Sequence, residues 1–182
     1  MSRSPRKGAA TKSAGKRSGR RPGVAPADRA AAVPGPTDKL FFHRGKAPRR
    51  GREILALGIA SDLNLKFAYI VRVLEAVGAE LSLSTEDRNK LELCLDEALK
   101  NAIIWGNGQY PSKTVQVIAW EEDGSWGFTI SDEGNGFSRD ALPDYSSEDF
   151  AWRESGRGIF VLLNYLSEVH YYGGGSTVLV KS

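Results

Sequence analysis

Residues 85–105 read TEDRNKLELCLDEALKNAIIW. Leu91, Leu95, Ala98, Leu99 and Ala102 recur at i, i+4, i+7, i+8 and i+11, which places them on one stripe of a helix. Ser84 stands where a capping residue is wanted, and Glu86 and Asp87 place acids in the first turn. Gly106-Asn107-Gly108 supplies the stop. The spacing predicts a long amphipathic helix from Thr85 to about Trp105. Glu97 and Asn101 lie four apart, on one face and away from the centre of the apolar stripe.

The flanking segments read as follows. Ile54–Ala60 is a short apolar run, predicted to be a strand. Asn64–Val77 has helical spacing, with Gly78 as a stop. Lys113–Trp120 and Trp126–Ser131 are rich in β-formers, and the Glu121-Glu122-Asp123-Gly124 region between them predicts a hairpin. Residues 137–155 have no periodicity and read as a long loop of the kind that serves as a lid. Ile159–Leu166 is an apolar helix. His170–Tyr172 and Thr177–Lys181, divided by Gly173-Gly174-Gly175, predict a second hairpin. Helices on one face of a mostly antiparallel sheet make an α+β fold, a two-layer α/β sandwich.

Charge divides the chain unevenly. Residues 1–52 hold 15 Lys/Arg and 2 Asp/Glu, a formal +13, whereas residues 53–182 hold 10 and 20, a formal −10. The N-terminal part also carries Pro5, Pro22, Pro26, Pro34, Pro36 and Pro48, and its apolar residues are mostly alanine. That composition buries too little surface to offset ordering. Residues 1–51 therefore read as a basic Pro/Gly/Ala-rich tail, disordered over roughly the first 38, and residues 52–182 as the folded domain. A positive tail suits contact with nucleic acid or an anionic surface, and equally serves as a solubilising extension.

Other classes are disfavoured. Arg20-Arg21 has no apolar stretch behind it, so no secretory signal is expected. No run approaches the ~18 apolar residues of a membrane span, and a cytoplasmic location is expected. Cys94 is the only cysteine, and His43 and His170 are the only histidines. An internal disulfide and a multi-cysteine metal site are excluded on counts alone, and a His-rich zinc site is not expected.

Three motifs remain, each with its own chemistry. Glu97 beside Asn101 joins a carboxylate, able to accept a proton, to an amide oxygen suited to a hard cation that keeps its waters. Asp132-Glu133-Gly134-Asn135-Gly136 follows a strand. Its Asp132 is placed to accept a hydrogen bond from an exocyclic amine, and its glycines permit close backbone approach. Gly156-Arg157-Gly158 opens the apolar helix, whose free N–H groups and positive end attract phosphate. The Gly-Lys-Ser/Thr ending of a P-loop and the Rossmann fingerprint are both absent. Together the three suggest a site for a nucleotide and its metal.

These segments resemble the three nucleotide-binding boxes of the GHKL ATPase superfamily. Residues 97–107 (EALKNAIIWGN), 132–137 (DEGNGF) and 156–160 (GRGIF), with the Ser176–Val180 strand, look most like its small stand-alone bacterial members, the anti-sigma factors that act as serine kinases. The resemblance covers residues 52–182. It implies the Bergerat ATP-binding fold, with ATP and Mg²⁺ as cofactors. It implies Glu97 as general base, Asn101 as Mg²⁺ ligand and Asp132 as reader of the adenine amine. Gly134 and Gly136 would line adenine and ribose, Gly156, Arg157 and Gly158 would meet the phosphates, and Thr177 would support the adenine site through its hydroxyl. The implied activity is transfer of the γ-phosphate to a Ser/Thr of an anti-sigma factor antagonist of the STAS type. The alternative is a non-catalytic, ATP-gated module that holds a sigma factor or another regulator. Pairing of two copies is also implied. Trp105 departs from the pattern, since many relatives carry His there.

Overall fold

The computed structural model describes residues 36–143, 145 and 156–182. Six strands form one sheet: β1 (Leu40–Phe42), β2 (Arg52–Ala60), β3 (Thr114–Glu122), β4 (Ser125–Ser131), β5 (Glu168–Tyr172) and β6 (Thr177–Lys181), in the spatial order β1-β5-β6-β4-β3-β2. The β1–β5 pair is parallel and every other pair antiparallel. Three helices pack on one face: α1 (Lys66–Glu80), α2 (Thr85–Lys100) and α3 (Arg157–Tyr165). The expected α+β sandwich is therefore the observed fold.

Strand alternation sorts the sheet into two faces. Val115, Val117, Phe128, Ile130, Val178 and Val180 join Leu91, Leu95, Leu99 and Ile103 in the core beneath the helices. Trp120 and Leu179 are equally buried but point the other way, outside that core. They are covered because β1 and β2 lie at opposite edges of the sheet, so residues 43–51 cross its outer face. The crossing strap is pinned by Gly173 N–H donating to the Gly45 carbonyl at 2.8 Å. It is also pinned by the Arg50 guanidinium, 5.7 Å from the Trp120 ring centroid, a cation–π arrangement.

Both hairpins form as expected. The first turns at Asp123-Gly124, where φ values of 53° and 79° match the left-handed pair that a two-residue hairpin favours. The Ser84 hydroxyl accepts from the Asp87 N–H at 3.0 Å and caps α2. Other features differ from expectation. The strand β1 lies inside the stretch assigned to the tail, so ordered structure begins upstream of residue 52. Three residues are too few to show alternation, and β1 exists because the β5 edge supplies its hydrogen bonds. α1 runs through Gly78 to Glu80, although its buried residues, Ile70, Val73, Leu74 and Val77, all precede that glycine. α2 does not stay α-helical to Trp105: Asn101–Gly106 widens into a π-helical turn, with Asn107 N–H donating to Ala102 O at 2.8 Å. α3 begins at Arg157, two residues earlier than its apolar run suggests. Of the expected lid, residues 144 and 146–155 lie outside the described residues.

The strap also makes an electrostatic anchor. Arg50 Nη2 donates to Glu122 Oε2 at 2.8 Å, and Lys181 Nζ donates to the same oxygen at 2.9 Å. The two cations hold the Glu122 carboxyl down at about 2, against an ordinary 4.5. A depressed carboxylate adds stability above its unfolded value and loses it as pH falls through its folded value. Glu122→Gln is therefore expected to melt below wild type at pH 7, with the gap closing between pH 4.5 and about 2 in thermal melts. A gap that persists unchanged at the acid end would rule the anchor out.

Candidate functional site

A cavity of about 460 Å³ opens between α2, α3 and the core-facing ends of β4 and β6. Its wall includes Glu97, Asn101, Asp132, Gly136, Gly156, Arg157 and Gly158, so seven of the nine residues singled out in the sequence meet around one space. Ile130, Tyr171 and Val178 add an apolar surface, as a flat heterocycle requires.

Asp132 stands at the end of β4. Its backbone N–H donates to the Ser176 carbonyl at 2.9 Å, and its Oδ1 accepts from the Gly134 N–H at 2.8 Å. Burial raises its pKa above the ordinary 3.8, while the Gly134 N–H works in the opposite direction. One carboxylate oxygen is thus fixed by its own loop, leaving the other to meet a donor. Neither Gly106 nor Gly134 has room for a Cβ: one at Gly106 would overlap the Asp132 carboxyl, and one at Gly134 would overlap the Gly106 carbonyl. Gly134 does not line the cavity. It serves the site by letting the Asp132 loop lie on the end of the π turn.

The π turn has a functional consequence. It begins at Asn101 and sets Gly106 against Asp132, joining the helix that carries the carboxylate and amide to the opposite end of the cavity. Such widened turns recur at functional sites. Trp105 borders the cavity yet is 78% exposed, so it forms part of the rim.

At the other end, Glu97 and Asn101 lie under the N-terminus of α3. A Cβ built on Gly158 would stand 2.9 Å from Glu97 Oε2 and 3.0 Å from Asn101 Nδ2. Gly158 is therefore what lets α3 approach α2 closely enough to bring a carboxylate, an amide and a helix N-terminus together. Gly156 precedes the helix with φ 88°, turning the chain into it. Arg157 is exposed at the cavity edge.

Thr177 does not join the site. It pairs with Ser131 across β4 and β6, donates to the Ser131 hydroxyl at 2.9 Å, and faces a second cavity under the strap. Period-2 alternation accounts for its position: Val178 faces the first cavity, so Thr177 lies on the other face of the sheet. Its neighbour Ser176 is the residue that touches Asp132, through its backbone carbonyl. Ser176, Tyr171 and Lys100 also line the cavity and were missed. Alternation along β5 and β6 could have pointed to Tyr171 and Val178; no sequence signal marks Lys100.

An acid at one end, an apolar surface between, and an amide, a carboxylate and a helix N-terminus at the other match the parts of a nucleotide. Comparison with known proteins agrees. Residues 59–181 match the histidine kinase-like ATPase domain family. The chain is 30% identical over 128 residues to the anti-sigma F factor of Halalkalibacterium halodurans, spanning 67% of this chain and 86% of the relative. It is 28% identical over 127 residues to the anti-sigma F factor of Geobacillus stearothermophilus, with the same coverage. The fold, the cavity and these similarities lead to one assignment: the chain belongs to the histidine kinase-like ATPase domain family.

Proposed function

We propose that this chain is an ATP-dependent protein serine/threonine kinase of the anti-sigma factor kind, acting on a hydroxyl of an antagonist protein. The observation that carries this reading is the meeting of Glu97, Asn101 and the α3 N-terminus at Gly158, in the cavity that also contains Asp132. Phosphoryl transfer depends chiefly on positioning and charge neutralisation, and this end of the cavity is built for both. Asn101 would hold Mg²⁺ through its amide oxygen, the ion taking its remaining ligands from phosphates and water. The N–H groups at Gly156–Gly158 would meet phosphate oxygens, and Glu97 would take the proton from an incoming hydroxyl.

Asp132 would select adenine. Its free oxygen accepts a hydrogen bond from an exocyclic amine and repels the carbonyl that guanine presents there. Asp132→Asn is expected to weaken ATP binding by roughly 10- to 150-fold, the range for a hydrogen bond to a charged group. Calorimetric titration with ATP and GTP in Mg²⁺ measures this. Equal binding of the two nucleotides by wild type would refute the adenine assignment. Transfer itself is tested with γ-labelled ATP and a STAS-type antagonist.

The names of the relatives favour a second reading, in which the nucleotide-loaded protein captures a sigma factor without modifying it. That reading predicts ATP-dependent pull-down of a sigma factor and no label on any protein acceptor. Two copies acting together would appear as a doubled mass in light scattering.

A further inference from the structure

Four charged side chains form an alternating row along the α1–α2 interface: Lys66, Asp96, Lys100 and Glu97. Lys66 pairs with Asp96 Oδ1, and Lys100 pairs with Asp96 Oδ2. Lys100 Nζ also lies 3.2 Å from Glu97 Oε1. Asp96 is partly buried, which pushes its pKa up, but the two ammonium groups outweigh burial and leave it below the ordinary value.

Two features set Lys100 apart. It lines the cavity, where the other charged wall residues among the described residues are Glu97, Asp132 and Arg157, so the formal charge of the described wall is zero. A triphosphate brings several negative charges into this neutral space. Lys100 is also the dispensable partner in its row. If its ammonium leaves Asp96, the carboxylate keeps Lys66. The lysine stem is flexible, and its head is already within one hydrogen bond of the Glu97 carboxylate at the phosphate end.

We propose that Lys100 is the γ-phosphate-reading residue of this cavity: a terminal phosphate draws its ammonium away from Glu97, so that triphosphate binding both gains a charge contact and frees the candidate base. This inference rests on the ATP reading of the site. In the structure Glu97 is engaged through Oε1 by Lys100. With a triphosphate present, Lys100 transfers its pairing to the phosphate and Glu97 Oε1 is released. A diphosphate does not extend far enough to make the exchange.

The test is calorimetric titration of the full chain with Mg²⁺-ATP and Mg²⁺-ADP. Wild type is expected to prefer ATP. Lys100→Met should weaken ATP roughly tenfold, the lower end for a charge-assisted hydrogen bond at a half-exposed group, and leave ADP within about twofold. Lys100→Arg should retain most of the preference. Asp96→Asn should raise the ATP-to-ADP ratio, because it removes a competitor for the ammonium; a merely structural role for Lys100 would not produce that sign. Lys90→Met, which removes an exposed ion pair with Glu86 on the same helix, is the control and should change neither affinity. Thermal melts confirm that each variant is folded. Wild type binding ATP and ADP equally, or Lys100→Met weakening both alike, overturns the proposal. Wild type binding neither nucleotide refutes instead the ATP reading beneath it.

Discussion

Glu97→Gln is expected to lower phosphoryl transfer to a protein acceptor by about 10²- to 10⁴-fold, the usual contribution of a positioned proton acceptor, with ATP affinity changed no more than a few-fold. Glutamine keeps the size and shape of the side chain, so the approach of α3 over Gly158 is undisturbed. What it removes is the basic oxygen. Glu97 Oε1 faces Lys100 at 3.2 Å, and a Cβ on Gly158 would come within 2.9 Å of Oε2, so the carboxylate lies between the lysine and the start of α3. An amide there cannot take a proton. Single-turnover transfer of label from γ-labelled ATP, with binding measured in parallel, separates the two effects. Undiminished transfer would remove Glu97 from the role of base. Loss of binding to the same extent as transfer would make it a binding residue.

The second large effect is expected at Gly136. Its φ is +68°, and a Cβ there would overlap the Gly174 carbonyl and crowd the Ser176 N–H. An L side chain in that backbone region costs about 1–2 kcal/mol, and overpacking against a rigid neighbour adds about 1–3 kcal/mol. Gly136→Ala should therefore lose roughly 2–5 kcal/mol in denaturant unfolding. ATP affinity should fall with it, because the same loop carries Asp132. Gly45→Ala separates the two contributions: Gly45 has φ +94° but nothing within 4 Å of a Cβ, so only the backbone cost applies. If Gly136→Ala were no more destabilising than Gly45→Ala, the interlock between the Asp132 loop and the Gly173–Gly175 turn would carry no energy.

Much of the site was legible because its chemistry depends on local spacing. Glu97 and Asn101 share a face by helical geometry, and Gly156-Arg157-Gly158 precedes an apolar helix, as phosphate binding requires. Asp132 was recognisable at the end of a strand that alternation and the Asp123-Gly124 turn had already defined. Local spacing does not give a placement that depends on a distant partner. Thr177 was assigned by motif position, but the register of β4 against β6 turns its hydroxyl toward Ser131 and away from the cavity. Gly134 was expected at the ligand and instead meets Gly106, which is far from it in sequence. Lys100 reads as a surface lysine until its pairing with Asp96 and Glu97 at the cavity wall is seen.

The sequence alone determined the amphipathic α2, both hairpins, the α+β class and the three motifs, because each is set by the periodicity or conformational preference of neighbouring residues. Tertiary structure alone decided the rest. It recruited Leu40–Phe42 as a parallel edge strand, drew residues 43–51 across the outer face, and widened α2 into a π turn that brings Gly106 against Asp132. It also set Gly158 over Glu97 and Asn101. These arrangements arise from packing and hydrogen bonds between segments tens of residues apart, and no local pattern encodes which segments will meet.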